Sequence, residues 1–508
     1  MDLRLGQRLI ASIQTDLFHF IVLITAIFWY LPTACNSSGY YHPDEHYQIV
    51  EFARYKLGFD RPGDLAWEYN AAIRSAFQPA ICFVVFRFCN GIGLEDPYLQ
   101  AFVLRLLTAL LSIAAISFFV KKTLAQLPIA YHKAFIVLSY FLWFLPFINV
   151  RFSSETWSGI FILLAVGLVQ GEGPIRLYTY GLCGMCMGAA FLCRFQVGVM
   201  DAGLFLWLIG IRKIKLQEFG SLAAGLLLLL LLGGLLDQWL YGTWKWTAWN
   251  YFKINILDNA ASKFGTAPWY RIMEYMINAP VMPLGIAIIV SIVLMGVYKP
   301  RSVYLWVMIP FLIVHALIPH KELRFLFPLV NFIPVVIIGG VIKIREWTRP
   351  AAWVENTLLI GFLVINLAGL LAMQCKAAGA GRNGITAYIY HHWKGQPVKL
   401  LYEEGRNPYK PWRVLREGQY EQKGMALQVF GDLDELNDQS RNRTGRDTVV
   451  LIVIRSYYWD NGWFNRLVHG HGYLFRMQAV PDWVLWLNRF YKGFNEEEVL
   501  ALYEVQPH

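Results

Sequence analysis

The sequence alternates long apolar segments with short polar connections. Several apolar segments contain few or no charged side chains and approach the ~20 residues that a helix needs to cross a bilayer. This pattern predicts about eleven membrane-spanning helices, at roughly residues 17–34, 100–120, 134–150, 157–171, 178–196, 198–211, 219–237, 279–297, 303–319, 325–342 and 353–374. The chain is therefore expected to be a polytopic α-helical membrane protein.

Composition supports this class. Of 508 residues, 56% are hydrophobic and only 16% are charged, against about 25% in a soluble protein. The net charge of +10 does not indicate nucleic-acid binding, because lysine and arginine in membrane proteins collect in loops and set the topology. The seven cysteines define no disulfide framework, and the small residues around Cys183 and Cys186 are more typical of a helix interface than of a zinc or redox site. The basic N-terminus lacks a small-residue cleavage site, which predicts an uncleaved first helix.

The basic residues orient the helices. The apolar stretch 77–88 is short and contains Pro79 and Arg87, which predicts an interfacial or re-entrant segment. If it does not cross, the basic clusters share one side, which the positive-inside rule identifies as the cytoplasm. These clusters are Arg4/Arg8, Lys121/Lys122, Arg212/Lys213/Lys215, Lys299/Arg301 and Lys343/Arg345/Arg349.

The same topology brings the polar motifs to the exoplasmic edge of the membrane. Charged groups at membrane depth cost roughly 2.5–3.5 kcal/mol on insertion scales and usually mark function, so we expect a single active site there. The motifs are loop 35–99, loop 238–278, "RFSSET" (151–156), "CRFQ" (193–196) and "PHKELRF" (319–325).

A second domain is expected after the membrane domain, which we place at residues 1–374. Residues 375–508 are polar and contain no spanning segment. "PVKLLYEEG" (397–405) and "DTVVLIVIRS" (447–456) predict strands, and "DWVLWLNRFYKGF" predicts a helix. We therefore expect a small exoplasmic α/β domain that contacts the acceptor or gives support.

The stretch "YYHPDEHYQIVEFARYKLG" (40–58) carries two adjacent carboxylates. Pro43 suits the first turn of a helix, and the helix dipole favours Asp44 and Glu45 in that turn. Gly58 is a plausible stop. The spacing predicts an amphipathic helix on the membrane surface, with an apolar face of Ile49, Phe52, Ala53 and Leu57. Two alternatives remain open here: a helix start without a function, and a metal site at His42 and His46, for which no third ligand is evident.

Positively charged residues at the same edge favour a catalytic site. A carboxylate can deprotonate an acceptor hydroxyl, while cations hold a departing phosphate. This combination suits transfer from a lipid phosphate, although Lys321 could instead be a snorkelling anchor. The predicted phosphate-binding residues are Arg151, Arg194, His320, Lys321 and Arg324.

These residues belong to motifs that resemble glycosyltransferase family 22, the isoprenoid-phosphate-mannose-dependent alpha-mannosyltransferases of the GT-C superfamily, and especially its GPI mannosyltransferases. The motifs follow the family order between about residues 40 and 330. They are "HPDEHYQ", "AWEY" (66–69), "RFSSET", "DQWLYGTWKWTAWNYFKINI" (237–256), "APWY" (267–270) and "HKELRFLFPL" (320–329).

The resemblance implies a GT-C membrane domain and an inverting reaction without metal, cofactor or nucleotide. Mannose would pass from a polyprenyl (dolichyl)-phosphate-mannose donor to a hydroxyl of a glycan or glycolipid acceptor and form an alpha linkage. The family's acidic pair falls on Asp44 and Glu45, and its "HKE-RF" motif on His320, Lys321, Glu322, Arg324 and Phe325. The expected substrate contacts are His42, His46, Glu155, Trp244, Asn250, Tyr251 and Trp269. For the aromatic residues, an interfacial belt is the alternative.

We assign the base to Asp44, because adjacent helical residues do not face the same way; Glu45 would orient the acceptor or a cation. "CRFQVG" departs from the Arg-Pro-Thr of eukaryotic members and leaves the role of Gln196 open. The chain ends "EVQPH", without a retrieval signal, and has few cysteines and a compact length. We therefore expect a bacterial plasma-membrane relative, or an endoplasmic-reticulum protein if the source is eukaryotic.

Two other functions are possible for a polytopic membrane protein of this kind. A transporter would have charged residues in the middle of its spans and an internal repeat, and the sequence has almost none of the former and no evident repeat. A GT-C enzyme with another lipid-phosphate sugar or a protein acceptor would share this topology and chemistry, so it remains the main alternative.

Overall fold

The computed structural model describes residues 3–171, 173–410, 415, 417–422, 424–441, 448–456, 472–491 and 495–506. The protein divides into two compact units. The first unit comprises Met1–Ala34, Ala71–Ile81 and Arg105–Gln374. The second unit comprises Cys35–Asn70, Cys82–Leu104 and Cys375–His508, so it includes the acidic stretch of loop 35–99 as well as the C-terminal region.

Most described residues are helical. In chain order the α-helices are α1 (Leu3–Asn36), α2 (Pro43–Glu45), α3 (Glu51–Lys56), α4 (Trp67–Ala71), α5 (Phe77–Gly91), α6 (Pro97–Leu124), α7 (His132–Phe141), α8 (Leu145–Asn149), α9 (Ser154–Val169), α10 (Leu177–Cys193), α11 (Gly198–Trp207), α12 (Leu216–Tyr241), α13 (Thr247–Phe252), α14 (Arg271–Asn278), α15 (Met282–Tyr298), α16 (Val303–Leu317), α17 (Ile333–Thr348), α18 (Ala352–Cys375), α19 (Arg382–Trp393), α20 (Leu433–Arg441) and α21 (Asp482–Tyr491).

The predicted spans all correspond to apolar helices. Within the described part of the chain, six helices are long and apolar enough to cross a membrane: Ile13–Asn36, Pro97–Leu124, Phe195–Arg212, Leu216–Tyr241, Leu323–Thr348 and Ala352–Cys375. Shorter apolar helices are Ile129–Phe141, Ser154–Val169, Leu177–Cys193, Met282–Tyr298 and Val303–Leu317. Each predicted segment overlaps one of these helices, because the length of an apolar run is a local property of the sequence. That α5 does not cross stays a prediction.

The predicted span 134–150 contains a break that its composition does not reveal. The chain leaves the helical conformation at Leu142 (φ −65°, ψ 124°), between α7 and α8. The side chain of Asn366 satisfies the backbone groups that the break exposes. Its Oδ1 accepts from the Trp143 N–H at 2.9 Å, and its Nδ2 donates to the Phe141 carbonyl at 2.7 Å. Unpaired backbone groups are costly in an apolar environment, so Asn366 makes this break possible.

Helices α10 and α12 pack closely through small residues. A Cβ atom added to Gly184 would lie 2.0 Å from the Leu222 carbonyl oxygen, and one added to Gly225 would lie 2.0 Å from that of Gly181. Only glycine permits backbones to approach this closely. The interpretation of "GLCGMCMGAAFLC" as a helix interface is confirmed.

The described C-terminal residues of the second unit form a five-stranded mixed sheet in the order β2-β1-β3-β5-β4. The strands are β1 (Val398–Glu403), β2 (Met425–Phe430), β3 (Val449–Arg455), β4 (Tyr473–Gln478) and β5 (Leu500–Val505). β1 pairs in parallel with β2 and β3, whereas β5 is antiparallel to β3 and β4. The predictions of β1, β3 and α21 are confirmed.

Both faces of the sheet are covered. Leu400 and Leu451 pack with Ile385 of α19, whereas Leu401 and Ile452 pack with Leu436 of α20. Neighbouring residues of a strand point to opposite faces, which explains why consecutive leucines belong to different cores. The C-terminal part of the second unit is therefore a small α/β structure, as predicted.

Candidate functional site

The acidic pair lies where helix α2 begins. Pro43 occupies the first turn, and His42 caps it, because its Nδ1 accepts a hydrogen bond from the Asp44 N–H at 3.3 Å. The Asp44 carboxylate lies 3.4 Å from the same ring nitrogen, and its side chain is 19% exposed. Glu45 is 7% exposed. The two carboxylates therefore have different environments, and Asp44 is the more accessible.

The helix continues beyond Glu45 with a π-helical turn. Residues His46–Val50 make a π-turn before α3, a feature frequent at functional sites. Gly58, at φ +85°, follows the helix. The predicted helix is thus confirmed, with Phe52 fully buried as expected.

The polar side of this helix is also enclosed. His46, Gln48 and Glu51 are all buried. His46 Nε2 lies 2.6 Å from Glu51 Oε1, and Gln48 donates to Glu68 at 2.8 Å. These partners remove the penalty of burying polar groups, so the helix is enclosed on both sides.

Two carboxyl groups beside the helix have shifted pKa values in opposite directions. Burial alone would raise the pKa of Glu51, but His46 and Arg54 outweigh it and hold that pKa below its usual range. Burial and the neighbouring Glu51 raise the pKa of Asp60, against the attraction of Arg54. Glu51 therefore stays charged at neutral pH and remains a strong hydrogen-bond acceptor beside His46.

The basic cluster of the first unit is built around Glu155. This residue lies in the first turn of α9, where the dipole favours negative charge. Its Oε1 accepts from Arg194, which follows α10, at 2.7 Å. The same oxygen accepts at 2.8 Å from Arg324, in the 3₁₀ segment Leu323–Phe332. One carboxylate oxygen thus joins three chain segments.

A second carboxylate extends the basic cluster. Glu322 accepts from the Nε of Arg324, and its Oε1 lies 2.7 Å from His320 Nε2. His320 Nδ1 lies 3.0 Å from the Gly265 carbonyl oxygen, so both ring nitrogens lie close to oxygen atoms. The guanidinium groups of Arg194 and Arg324 also lie 4.9 and 5.4 Å from the centre of the Phe325 ring.

Two further predicted phosphate ligands are also buried. The Lys321 ammonium donates to the carbonyl oxygens of Ile318 at 2.6 Å and Ala267 at 3.0 Å. It therefore holds the loop before α14 and does not extend into solvent as a snorkelling side chain would. Arg151 is 2% exposed, with its guanidinium 5.9 Å from the centre of the Phe147 ring.

The four predicted residues of loop 238–278 have two kinds of environment. Trp244 and Trp269 are 46% and 64% exposed. Asn250 instead donates to the Ala72 carbonyl at 3.3 Å, and the Tyr251 hydroxyl bonds to the amide of Gln196. Gln196, whose role the sequence left open, therefore helps to hold α13.

One carboxylate that sequence reasoning passed over anchors this loop. Asp237, at the end of α12, is 3% exposed. It accepts from the Ala76 N–H at 2.6 Å and from the Thr247 hydroxyl at 2.5 Å. A lone carboxylate at the end of a long apolar segment was the available signal.

No metal site is evident in the part of the chain that the structure describes. No group of three or more His, Cys, Asp or Glu side chains there could hold an ion. His42 caps α2, while His46 contacts Glu51.

The fold has a counterpart among solved structures. It is similar to the crystal structure of ArnT from Cupriavidus metallidurans bound to undecaprenyl phosphate, with a TM-score of 0.50, 11% sequence identity, and coverage of 96% of this chain and 99% of that chain. The protein thus has the predicted GT-C membrane glycosyltransferase fold.

The sequence gives the family within that class. Residues 20–396 match the Alg9-like mannosyltransferase family, and the chain belongs to this family. The resemblance to family 22 is therefore confirmed. The match ends just before strand β1, so the sheet lies outside it.

Individual relatives are distant. GPI alpha-1,2-mannosyltransferase 3 of Danio rerio is 26% identical over 61% of this chain and 57% of that protein. Mannosyltransferase APTG1 of Arabidopsis thaliana is 25% identical over 59% and 54%. GPI mannosyltransferase 3 of Yarrowia lipolytica is 25% identical over 68% and 67%. The chain therefore spans little more than half the length of the first two relatives.

Proposed function

We propose that the protein is an inverting alpha-mannosyltransferase that uses polyprenyl-phosphate-mannose as donor and a hydroxyl of a glycan or glycolipid as acceptor. Family membership supports the sugar, and the cluster around Glu155 carries the proposal. There, two buried arginines accompany two carboxylates, and Lys321, next to Glu322 in the chain, adds a further positive charge. The surplus positive charge suits a phosphate monoester of about −1.5 to −2.

The reaction requires a base and a stabilised leaving group. In our proposal the Asp44 carboxylate takes the proton of the acceptor hydroxyl. The acceptor oxygen then bonds to the mannose C1, and the bond from C1 to the phosphate oxygen breaks. The phosphate leaves with the electron pair, held by Arg194 and Arg324. Attack opposite to the leaving group converts a beta-linked donor into an alpha-linked product.

Exposure supports Asp44 over Glu45 as the base. A base must reach the substrate hydroxyl, and the Asp44 side chain is 19% exposed, whereas Glu45 is 7% exposed. We assign Glu45 and His42 to positioning the acceptor side of the site. His46 is enclosed, and we propose that it acts on the substrate only through the acidic pair.

We also propose that the reaction takes place on the exoplasmic face. The basic clusters of the charge-derived topology fall in the opposite loops, as the positive-inside rule requires of cytoplasmic ones. The site would face the outside of the plasma membrane in a bacterium, or the lumen of the endoplasmic reticulum in a eukaryote. The undecaprenyl phosphate bound to ArnT supports a lipid phosphate as the leaving product.

The central test is a transfer assay with purified protein in lipid nanodiscs. Labelled polyprenyl-phosphate-mannose and a membrane lipid extract are expected to give a labelled glycolipid and one polyprenyl phosphate per mannose transferred. Activity is expected to persist in EDTA. Donors that carry other sugars, and a protein acceptor fraction, serve as parallel arms. Transfer from one of those donors but not from the mannose donor would favour the other GT-C function.

Trp269 is expected to contact the isoprenoid chain of the donor. It is 64% exposed in a loop that follows the apolar helix α12. Trp269→Ala should raise KM about tenfold for a long-chain donor, since burying a large side chain contributes about 1.5–3 kcal/mol, and should leave KM for a short-chain donor unchanged. Trp347→Ala, at a 73% exposed position of α17, is the matched control. An equal effect on both chain lengths would identify Trp269 as part of an interfacial belt.

A further inference from the structure

Four aromatic rings of the second unit form a continuous stack beside the acidic pair. His46 lies between Tyr40 and Tyr420, with ring centres 5.5 Å apart on each side and interplanar angles of 26° and 20°. Tyr420 stacks in turn on Tyr98 at 4.8 Å. His46 directly follows Glu45 in the chain, so the orientation of its ring is coupled to the backbone that carries both carboxylates.

The edge of the His46 ring is fixed as well. Its Nε2 lies 2.6 Å from Glu51 Oε1. Gln419 contacts the same carboxylate through its backbone N–H at 3.4 Å, and its side-chain oxygen accepts from Arg54 at 2.9 Å. Arg54 itself donates to Glu51 at 3.3 Å. The charged partners of His46 are thus held by a residue that lies some 370 positions further along the chain.

The segment around Gln419 fits closely against the acidic helix. The buried Glu417 carboxylate accepts from the Tyr40 hydroxyl at 2.5 Å, and the Leu415 carbonyl accepts from the Tyr47 hydroxyl at 3.3 Å. A Cβ on Gly418 would lie 3.0 Å from the Asp60 carboxylate. A larger residue at position 418 would therefore have to displace the Asp60 carboxylate by a few tenths of an ångström.

We infer that the segment Glu417–Tyr420 is a positioning element for the catalytic base. Together with Tyr40 and Glu51, this segment holds both faces and the edge of the His46 ring. It thereby fixes the start of the helix where Asp44 lies. The inference rests on the proposed function, in which Asp44 is the base. The segment lies outside residues 20–396 of the family match, so it gives the C-terminal part of the chain a defined role.

We expect substitutions in this segment to lower turnover without weakening donor binding. A displacement of about 1 Å at a reacting group can cost about 100-fold in rate. Tyr420→Leu removes one face of the stack and should lower kcat about 10- to 100-fold, with KM for the lipid donor unchanged within about twofold. Tyr420→Phe keeps the ring and should restore kcat. Glu417→Gln, a milder change, should lower kcat by a smaller factor in the same direction.

A matched control exists in the same unit. Tyr388 stacks on His392 at 3.7 Å in helix α19, away from the acidic helix in the chain. Tyr388→Leu removes a comparable tyrosine–histidine stack and is expected to leave kcat unchanged. A kcat loss equal to that of Tyr420→Leu would show that the effect is general destabilisation and would overturn the inference.

Hydrogen exchange separates this inference from the proposed function. In Tyr420→Leu, amide exchange of residues 43–56 is expected to rise at least about tenfold, while exchange in β1 and β3 stays as in the wild type. This result does not depend on the transferred sugar, so an inactive wild type with the expected exchange would refute only the proposed function. Unchanged exchange in both Tyr420→Leu and Glu417→Gln, or a change of KM alone, would refute the positioning role.

Discussion

Replacing Asp44 with asparagine is expected to lower mannosyl transfer by about 100- to 10,000-fold, the range that a general base contributes. Asparagine keeps the shape of the side chain but cannot accept the proton of the acceptor hydroxyl. Donor binding should be unchanged, because the amide leaves the basic cluster of the first unit intact. Single-turnover rates with labelled donor, together with an equilibrium measurement of donor binding, separate the two effects.

Glu45→Gln is the matched control for this prediction. Glu45 is buried, at 7% exposure, so its exchange should reduce the rate by no more than about tenfold through small shifts of the helix start. An active Asp44→Asn enzyme would refute the assignment of the base. A strong loss at Glu45 with little effect at Asp44 would transfer the role to its neighbour.

The membrane-spanning helices were predictable because their signal is local. An apolar run of sufficient length has few alternatives to a helix in the membrane, and each predicted segment overlaps an apolar helix. The break before α8 was not predictable in this way. It depends on Asn366, which lies more than 200 residues further along the chain and supplies the missing hydrogen bonds.

The site shows the same division between local and distant information. Pro43 and the two carboxylates predict the start of α2 by themselves. The burial of the helix's polar side depends on distant partners such as Glu68 and Gln419, which no local pattern identifies. For the same reason β1 and β3 were found, but the order β2-β1-β3-β5-β4 was not.

The basic cluster of the first unit required both kinds of information. The predicted topology and motifs identified Arg194, Arg324 and Glu155, but not that the two guanidinium groups share a single carboxylate oxygen. That arrangement keeps two cations close together at low cost, because the carboxylate offsets their mutual repulsion. It also requires two different donors of Arg324: the Nε donates to Glu322, and a terminal nitrogen donates to Glu155.

Arg324→Lys should therefore lower kcat/KM by about 100- to 1,000-fold, although the charge is conserved. A lysine cannot reproduce the planar fork that serves two carboxylates at once. Inhibition by added polyprenyl phosphate should weaken in parallel, because the same group holds the leaving phosphate. Arg345→Lys is the control, since Arg345 forms an exposed ion pair with Glu355, a kind of pair that contributes little.

Glu155→Gln sharpens the test, because it changes the cluster in the opposite electrostatic direction. The amide oxygen can still accept from both arginines, but a negative charge is lost, so polyprenyl phosphate should inhibit this variant several-fold more strongly than the wild type. Opposite shifts of the inhibition constant in Glu155→Gln and Arg324→Lys identify a phosphate site whose affinity follows its net charge. Shifts in the same direction would mean that the cluster only holds α9 and α10 to the segment Leu323–Phe332.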